Sequence, residues 1–201
     1  DDGRFFDPGQ YFIICANVLG GCYGSTGHLS FNPNTGKQYF HAFPTVTNRD
    51  AVRAFDLLRQ SLGIEQVHTL IGGSLGGQQV LEWALHQPDV FQHIIPIATN
   101  ASHSPWGIAF NEAQRMAIEA DSTWKNNDQR AGIEGLKAAR AIGMLSYRFY
   151  GTYGQTQAEK ASDKLEDYRA STYQRYQGQK LANRFNAFTY WGLSKMMDSH
   201  H

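Results

Sequence analysis

The sequence predicts an α/β fold, a partial parallel sheet followed by a helical lid, and three observations carry that prediction. Short apolar runs alternate with helically periodic stretches up to about residue 104. Beyond that point the strand signals fade and helix-like runs take over. Between them, one serine stands among glycines where an apolar run hands over to a helix, in Thr69 to Trp83, TLIGGSLGGQQVLEW. The expected organisation is therefore a core over residues 1–104 carrying this bend and a docked helical cap over 105–201, with no repeat or Pro-rich linker between them.

Taken in order, the apolar runs are Tyr11 to Cys15 (YFIIC), Val67 to Ile71 (VHTLI) and His93 to Ala98 (HIIPIA), each the length of a buried parallel strand. Between the first two, Thr47 to Leu62 places Val52, Phe55, Leu58 and Leu62 on one helical face and stops at Gly63. Gly76 to His86 brings Val80, Leu81, Ala84 and Leu85 together and ends before Pro88. Two strand-helix-strand units result. In the second half, helices are expected over Ile108 to Ala120, Ile133 to Met144, Ala158 to Tyr176 and Gln179 to Met197. Many of the tyrosines lie beyond Leu145, which suits helices that pack on another surface.

Composition narrows the function classes. With 18 Lys and Arg against 18 Asp and Glu, the 201-residue chain has no long-range field to draw it to nucleic acid or to an anionic membrane. No apolar run approaches the roughly 18 to 20 residues that span a bilayer, and DDGRFFDPGQ is no signal peptide, so a cytoplasmic, soluble protein is expected. Cys15 and Cys22 are too few for a disulfide framework or a zinc site; the bland reading is two small apolar side chains, with a bridge between them conceivable. Neither a metal nor a bound cofactor is expected.

Gly72-Gly73-Ser74-Leu75-Gly76 satisfies G-x-S-x-G, a weak pattern alone and a stronger one with a strand leading in and a helix leading out. In that setting the chain turns so tightly that side chains two positions from the serine would collide, and the serine takes a strained conformation. The bend lifts the hydroxyl clear of the sheet and leaves the backbone N–H of Leu75 at a helix N-terminus, where an oxyanion would form. Ser74 is thus the candidate nucleophile and Leu75 the candidate oxyanion donor. The alternative is a glycine-rich turn that merely packs or binds phosphate. Ser74 occupies the second glycine of a dinucleotide fingerprint, and the single Gly-Lys pair, Gly36-Lys37, runs into Gln38, so both nucleotide readings weaken.

A serine hydroxyl needs a base and an orienting acid, which in an α/β-hydrolase follow it along the chain. His28 and His41 precede Ser74, His68 lies in a strand, His86 ends the following helix, and His93 opens the third strand. His103 has no obvious acid nearby. Asp198 and His200 are a tempting pair, yet residues two apart on a helix diverge, and a terminus is a poor place for a preorganised base. A nucleophile without a convincing base makes the chain read as a piece of a longer one.

The segments CANVLGGCYGSTG (Cys15 to Gly27), NPNTGK (Asn32 to Lys37), FPTVTNRD (Phe43 to Asp50), GGSLGGQQVLEW (Gly72 to Trp83), NEAQRMAIEAD (Asn111 to Asp121) and RFNAFTYWGLSKMMDSH (Arg184 to His200) together resemble the homoserine O-acetyltransferase family. The resemblance implies an α/β-hydrolase core with a helical lid, and acetyl transfer from acetyl-CoA, a co-substrate, to L-homoserine through Ser74 in methionine biosynthesis. It further implies that Arg140, in AARAIGMLSYR, holds the homoserine carboxylate, that Tyr147 lines the same site, and that the protein is a homodimer. Spacing by two helical turns puts Arg140 and Tyr147 on one face; their bland readings are an exposed helix charge and a packing aromatic. Members of the family begin earlier and continue past the DSH segment to the triad Asp and His, so about three sheet strands and no useful activity are expected of these residues alone. Succinyl transfer, ester hydrolysis on the same scaffold, and a non-catalytic binding protein on a degenerate core remain the alternatives.

Overall fold

The computed structural model describes residues 6–160 and 164–201. Two parallel strands, β1 (Val67–Gly73) and β2 (Phe91–Ile97), form the sheet, in a register that sets Thr69 against His93 and Gly73 against Ile97. Helix α1 (Asn48–Ser61) precedes β1, and α2 (Leu75–His86) crosses from β1 to β2, packing on both strands and on α1.

Local chemistry explains these boundaries. Thr47 and Asp50 close a capping box at the start of α1, the threonine hydroxyl accepting from the Asp50 N–H while the carboxylate accepts from the Thr47 N–H at 2.9 Å. Gly63, at φ 68°, then turns the chain out of the helix in a left-handed conformation that a side chain would strain. Val52 is fully buried, whereas Leu58 and Leu62, on the same expected face, stay exposed. Trp83 of α2 packs between Phe55 of α1, tilted against it at 5.9 Å between centroids, and Phe91 of β2, which meets it edge-on at 5.1 Å.

The expected strand at Tyr11 to Cys15 does not form, which leaves two strands among the described residues rather than three. A strand is stable only with a ladder partner, and the run touches the sheet through a ring contact between Tyr11 and His68 while Phe12 is 79% exposed. Ile71, Ile94 and Ile97 of the strands are exposed as well.

The second half is helical: α3 (Pro105–Glu119), α4 (Ile133–Ser146), α5 (Tyr150–Gln157), α6 (Arg169–Ala182) and α7 (Ala187–Asp198). Ser104 caps α3 ahead of Pro105, and the Asp121 carboxylate accepts from the N–H groups of Glu134 and Gly135 at the head of α4. Two expectations fail here. The helix expected over Ala158 to Tyr176 starts only at Arg169, where Glu159 Oε1 accepts from the Arg169 N–H and Asp167 sits at φ 53°; residues 161–163 of that span lie outside the described residues. The helix expected over Gln179 to Met197 is interrupted between Ala182 and Ala187, because the Asn186 side chain accepts from the Thr189 N–H and begins α7 afresh. The main buried apolar cluster joins Ile118, Trp124, Leu136, Ala139, Leu181 and Phe188 from this half to Phe40 from the first.

Candidate active site

Ser74 stands between β1 and α2 with φ 54° and ψ −119°, a left-handed conformation that costs a non-glycine residue about 1–3 kcal/mol. The surroundings hold it there. Its N–H donates to Ile97 O of β2 at 2.9 Å, and its carbonyl accepts from the Gln78 N–H at 3.1 Å in the first turn of α2. The residue is exposed, so the bend presents the hydroxyl to solvent instead of packing it away.

The glycines beside it do unequal work. A Cβ on Gly72 would lie 2.3 Å from Gly76 O and 2.5 Å from Gly76 C, so strand and helix approach too closely for any side chain. On Gly76 itself a Cβ would meet nothing within 4 Å. The close approach expected on both sides of the serine is therefore enforced from the Gly72 side. One turn on, a Cβ on Gly77 would overlap Thr99 at 2.6 Å. Leu75 opens α2, and its N–H is one of those at a helix start that no carbonyl of the same helix accepts.

Arg140 and Tyr147 meet at the C-terminal end of α4, the guanidinium carbon 5.3 Å from the ring centroid. Tyr147 is 66% exposed, so one edge of this pair is open. Behind them, Tyr190 of α7 donates its hydroxyl to Gln114 Oε1 of α3. Burial pushes the Tyr190 phenol up to about 12; Tyr147 pushes the same way, and the Arg140 guanidinium opposes as a charge and as a hydrogen-bonding neighbour.

Beneath α2 lies a buried polar cluster that sequence reasoning missed. Asn48 Nδ2 donates to Gln78 Oε1 at 3.2 Å, and Gln78 Nε2 lies 3.4 Å from both Asn100 Oδ1 and His103 Nδ1. Asp198 accepts from Asn111 at 2.8 Å and from Arg115 at 2.6 Å, and Arg115 also reaches Ser194 Oγ at 3.0 Å. His103, expected to lack an acid nearby, has its Nε2 3.9 Å from Asp198 Oδ1, because α7 folds back from far along the chain. His200 turns instead to Asn100 O, at 3.1 Å, so Asp198 and His200 are each engaged elsewhere. The available signal was Gln78 and Gln79, two adjacent amides in the helix that follows Ser74, both of which are buried.

Other histidines are occupied too. His28 bonds Phe40 O through Nδ1, and burial lowers its pKa from the ordinary value; His41 bonds Trp124 O; the rings of His68 and His93 pack together at 5.1 Å. Cys15 and Cys22 are free thiols, the first exposed and thus unlike the buried apolar residue expected, the second pushed up in pKa by burial. Among the described residues no His, Cys, Asp and Glu side chains gather as a metal set, and no helix is long and apolar enough to cross a membrane.

Comparison with known proteins fits this geometry. A family model described as the alpha/beta hydrolase fold matches residues 4–199. Over 199 residues the chain is 57% identical to a homoserine O-acetyltransferase of Cyclobacterium marinum, an alignment that takes in 99% of this chain and 56% of the relative. Among solved structures, a homoserine o-acetyltransferase from Staphylococcus aureus superposes with a TM-score of 0.70 at 32% identity, covering 92% of this chain and 49% of that one. A variant of esterase E22 superposes with a TM-score of 0.80 at 26% identity, covering 90% and 54%. The chain spans about half the length of the curated relatives it matches.

Proposed function

We propose, for a chain that belongs to the alpha/beta hydrolase fold family, that the complete protein moves an acetyl group from acetyl-CoA to the hydroxyl of L-homoserine through an acyl-serine at Ser74. The observation that carries this reading is Ser74 itself, exposed and strained at the head of α2. The curated relatives, named homoserine O-acetyltransferases, supply the substrates. Ser74 Oγ attacks the thioester carbonyl and loses its proton to a base; the C–S bond breaks, and coenzyme A leaves as the thiol. The hydroxyl of homoserine then attacks the acyl-serine ester and gives up its proton, and the Ser74 oxygen regains one as the C–O bond breaks. The N–H of Leu75 steadies the oxyanion in both halves.

On this reading the triad histidine and aspartate belong to the part of the relatives that this chain does not span. The 201 residues alone then turn over poorly, since loss of a triad base costs about a millionfold in a serine hydrolase. Arg140 grips the homoserine carboxylate, a bidentate arrangement that suits a guanidinium, while Tyr147 lines the same site. The protein is placed in the cytoplasm as a homodimer, for which exposed aromatics such as Phe149 and Tyr150 offer apolar surface. Mass spectrometry of the full-length protein after acetyl-CoA tests the reading: an acetyl adduct on the Ser74 peptide, discharged as O-acetylhomoserine when homoserine is added, is the expected result. A missing adduct overturns it.

The likeness to an esterase favours a second reading, in which water takes the acyl group. Product analysis with and without homoserine separates the two, and comparing acetyl-CoA with succinyl-CoA fixes the donor.

A further inference from the structure

His200 grips the segment after β2 at both ends. Its Nε2 bonds Asn100 O at 3.1 Å, and its own carbonyl accepts from the His103 N–H at 2.9 Å. A carbonyl only accepts, so Nε2 carries the proton. Nδ1 is buried and has no hydrogen-bond partner among the described residues, so the ring, 6% exposed, holds the segment through a single N–H.

The same segment leans on the bend at Ser74 in three places. Ile97 O accepts the Ser74 N–H at 2.9 Å. Thr99 lies so close to α2 that a Cβ on Gly77 would come within 2.6 Å of it. Asn100 Oδ1 accepts from Gln78 Nε2 at 3.4 Å, and the N–H of that fully buried glutamine donates to the Ser74 carbonyl at 3.1 Å. Between the first two contacts Ala98 sits at φ 47°, backbone that an alanine adopts only where its surroundings hold it. A hydrogen-bonded path therefore runs from His200 through Asn100 and Gln78 to Ser74.

We propose that His200 and Asn100 are positioning residues for Ser74, clamping the segment after β2 against the first turn of α2 so that the bend keeps its strained, attacking geometry. The inference rests on the reading of Ser74 as the nucleophile. Strain at Ser74 and at Ala98 favours relaxation, and the contacts that oppose it converge on residues 97–100. The His200 N–H holds that segment from the end of α7, far from the bend in sequence. Neither His200 nor Asn100 touches substrate in this scheme.

The test measures the rate at which acetyl-CoA acylates Ser74 in the full-length protein, beside urea unfolding of the same variants. His200→Phe keeps a ring and loses the N–H, whereas His200→Gln offers an amide N–H to the same carbonyl. The expected result is a fall of roughly ten- to a hundredfold in acylation rate for His200→Phe, with most of it restored in His200→Gln. Asn100→Ala removes the acceptor for Gln78 and is expected to slow acylation similarly. Because both act along one path, the double variant should be little slower than the slower single one. A purely structural role would lower the unfolding midpoint and leave the folded enzyme acylating at its normal rate. That outcome overturns the inference, as does full additivity of the two substitutions or equal slowing in His200→Phe and His200→Gln. If His200→Phe does not fold, Asn100→Ala alone decides, and a normal rate there overturns the inference. An unsubstituted protein that forms no adduct at Ser74 overturns the functional reading and the inference together.

Discussion

A Cβ on Gly72 would stand 2.3 Å from the carbonyl oxygen of Gly76, closer than any non-bonded pair tolerates. The obstacle is backbone, so no rotamer change relieves it, and the strand and helix on either side of Ser74 must separate. Gly72→Ala is expected to destabilise the protein by about 1–3 kcal/mol and to abolish the Ser74 acetyl adduct. Urea unfolding together with intact-mass analysis checks both, and an adduct formed at the normal rate would contradict the geometry.

Strain at the serine itself gives a second expectation. At φ 54° and ψ −119° glycine is at ease, whereas alanine is as strained as serine. Ser74→Gly should therefore be more stable than Ser74→Ala by about 1 kcal/mol or more, while both lack the adduct. Equal stabilities would mean that the bend relaxes in solution.

Much of the fold could be read from local chemistry, because its signals are short-range. Gly63, read as the stop of α1, fixes that end within a residue, whereas the Thr47 and Asp50 box went unread, as did Ser104 before Pro105, which starts α3 three residues ahead of the expected Ile108. The elbow was legible for the same reason, its glycines and serine being neighbours in sequence. Tyr11 to Cys15 failed because strand formation depends on a partner, and apolar composition alone cannot provide one. The break before α7 was hidden because Asn186 interrupts an otherwise helical periodicity with one side-chain hydrogen bond. The pairing of His103 with Asp198, and of Gln114 with Tyr190, depends on helices far apart in sequence folding together, so no spacing rule could have announced either.

Arg115 tests the worth of the cluster beneath α2. Its side chain is 4% exposed and is held by Asp198, 17% exposed, and Glu112, 52% exposed. Removing the inner partner leaves a buried cation short of charge, whereas removing the outer one costs only a screened contact. Asp198→Asn is expected to lower unfolding stability by about 3 kcal/mol, and Glu112→Gln by under about 1 kcal/mol. Chemical denaturation of the two variants decides it, and comparable losses would show that burial does not set the Asp198 contact apart from the exposed Glu112 one.

The phenol of Tyr190 predicts an alkaline signature. In the unfolded chain a tyrosine ionises near pH 10, but here burial, reinforced by Tyr147 and opposed by Arg140, pushes it up to about 12. Below pH 10 both states keep the proton, and the folded state retains its full contribution. Between about 10 and 12 the unfolded chain releases a proton that the folded one holds, so the contribution is lost as pH rises, up to roughly 2–3 kcal/mol for a two-unit shift. Tyr190→Phe cannot ionise and escapes that loss, while the other tyrosines and lysines affect both proteins alike. The stability advantage of the native protein over the variant should therefore shrink steadily through this range in urea titrations. A difference that stays constant would show that the phenol ionises as freely in the folded protein as in the unfolded chain.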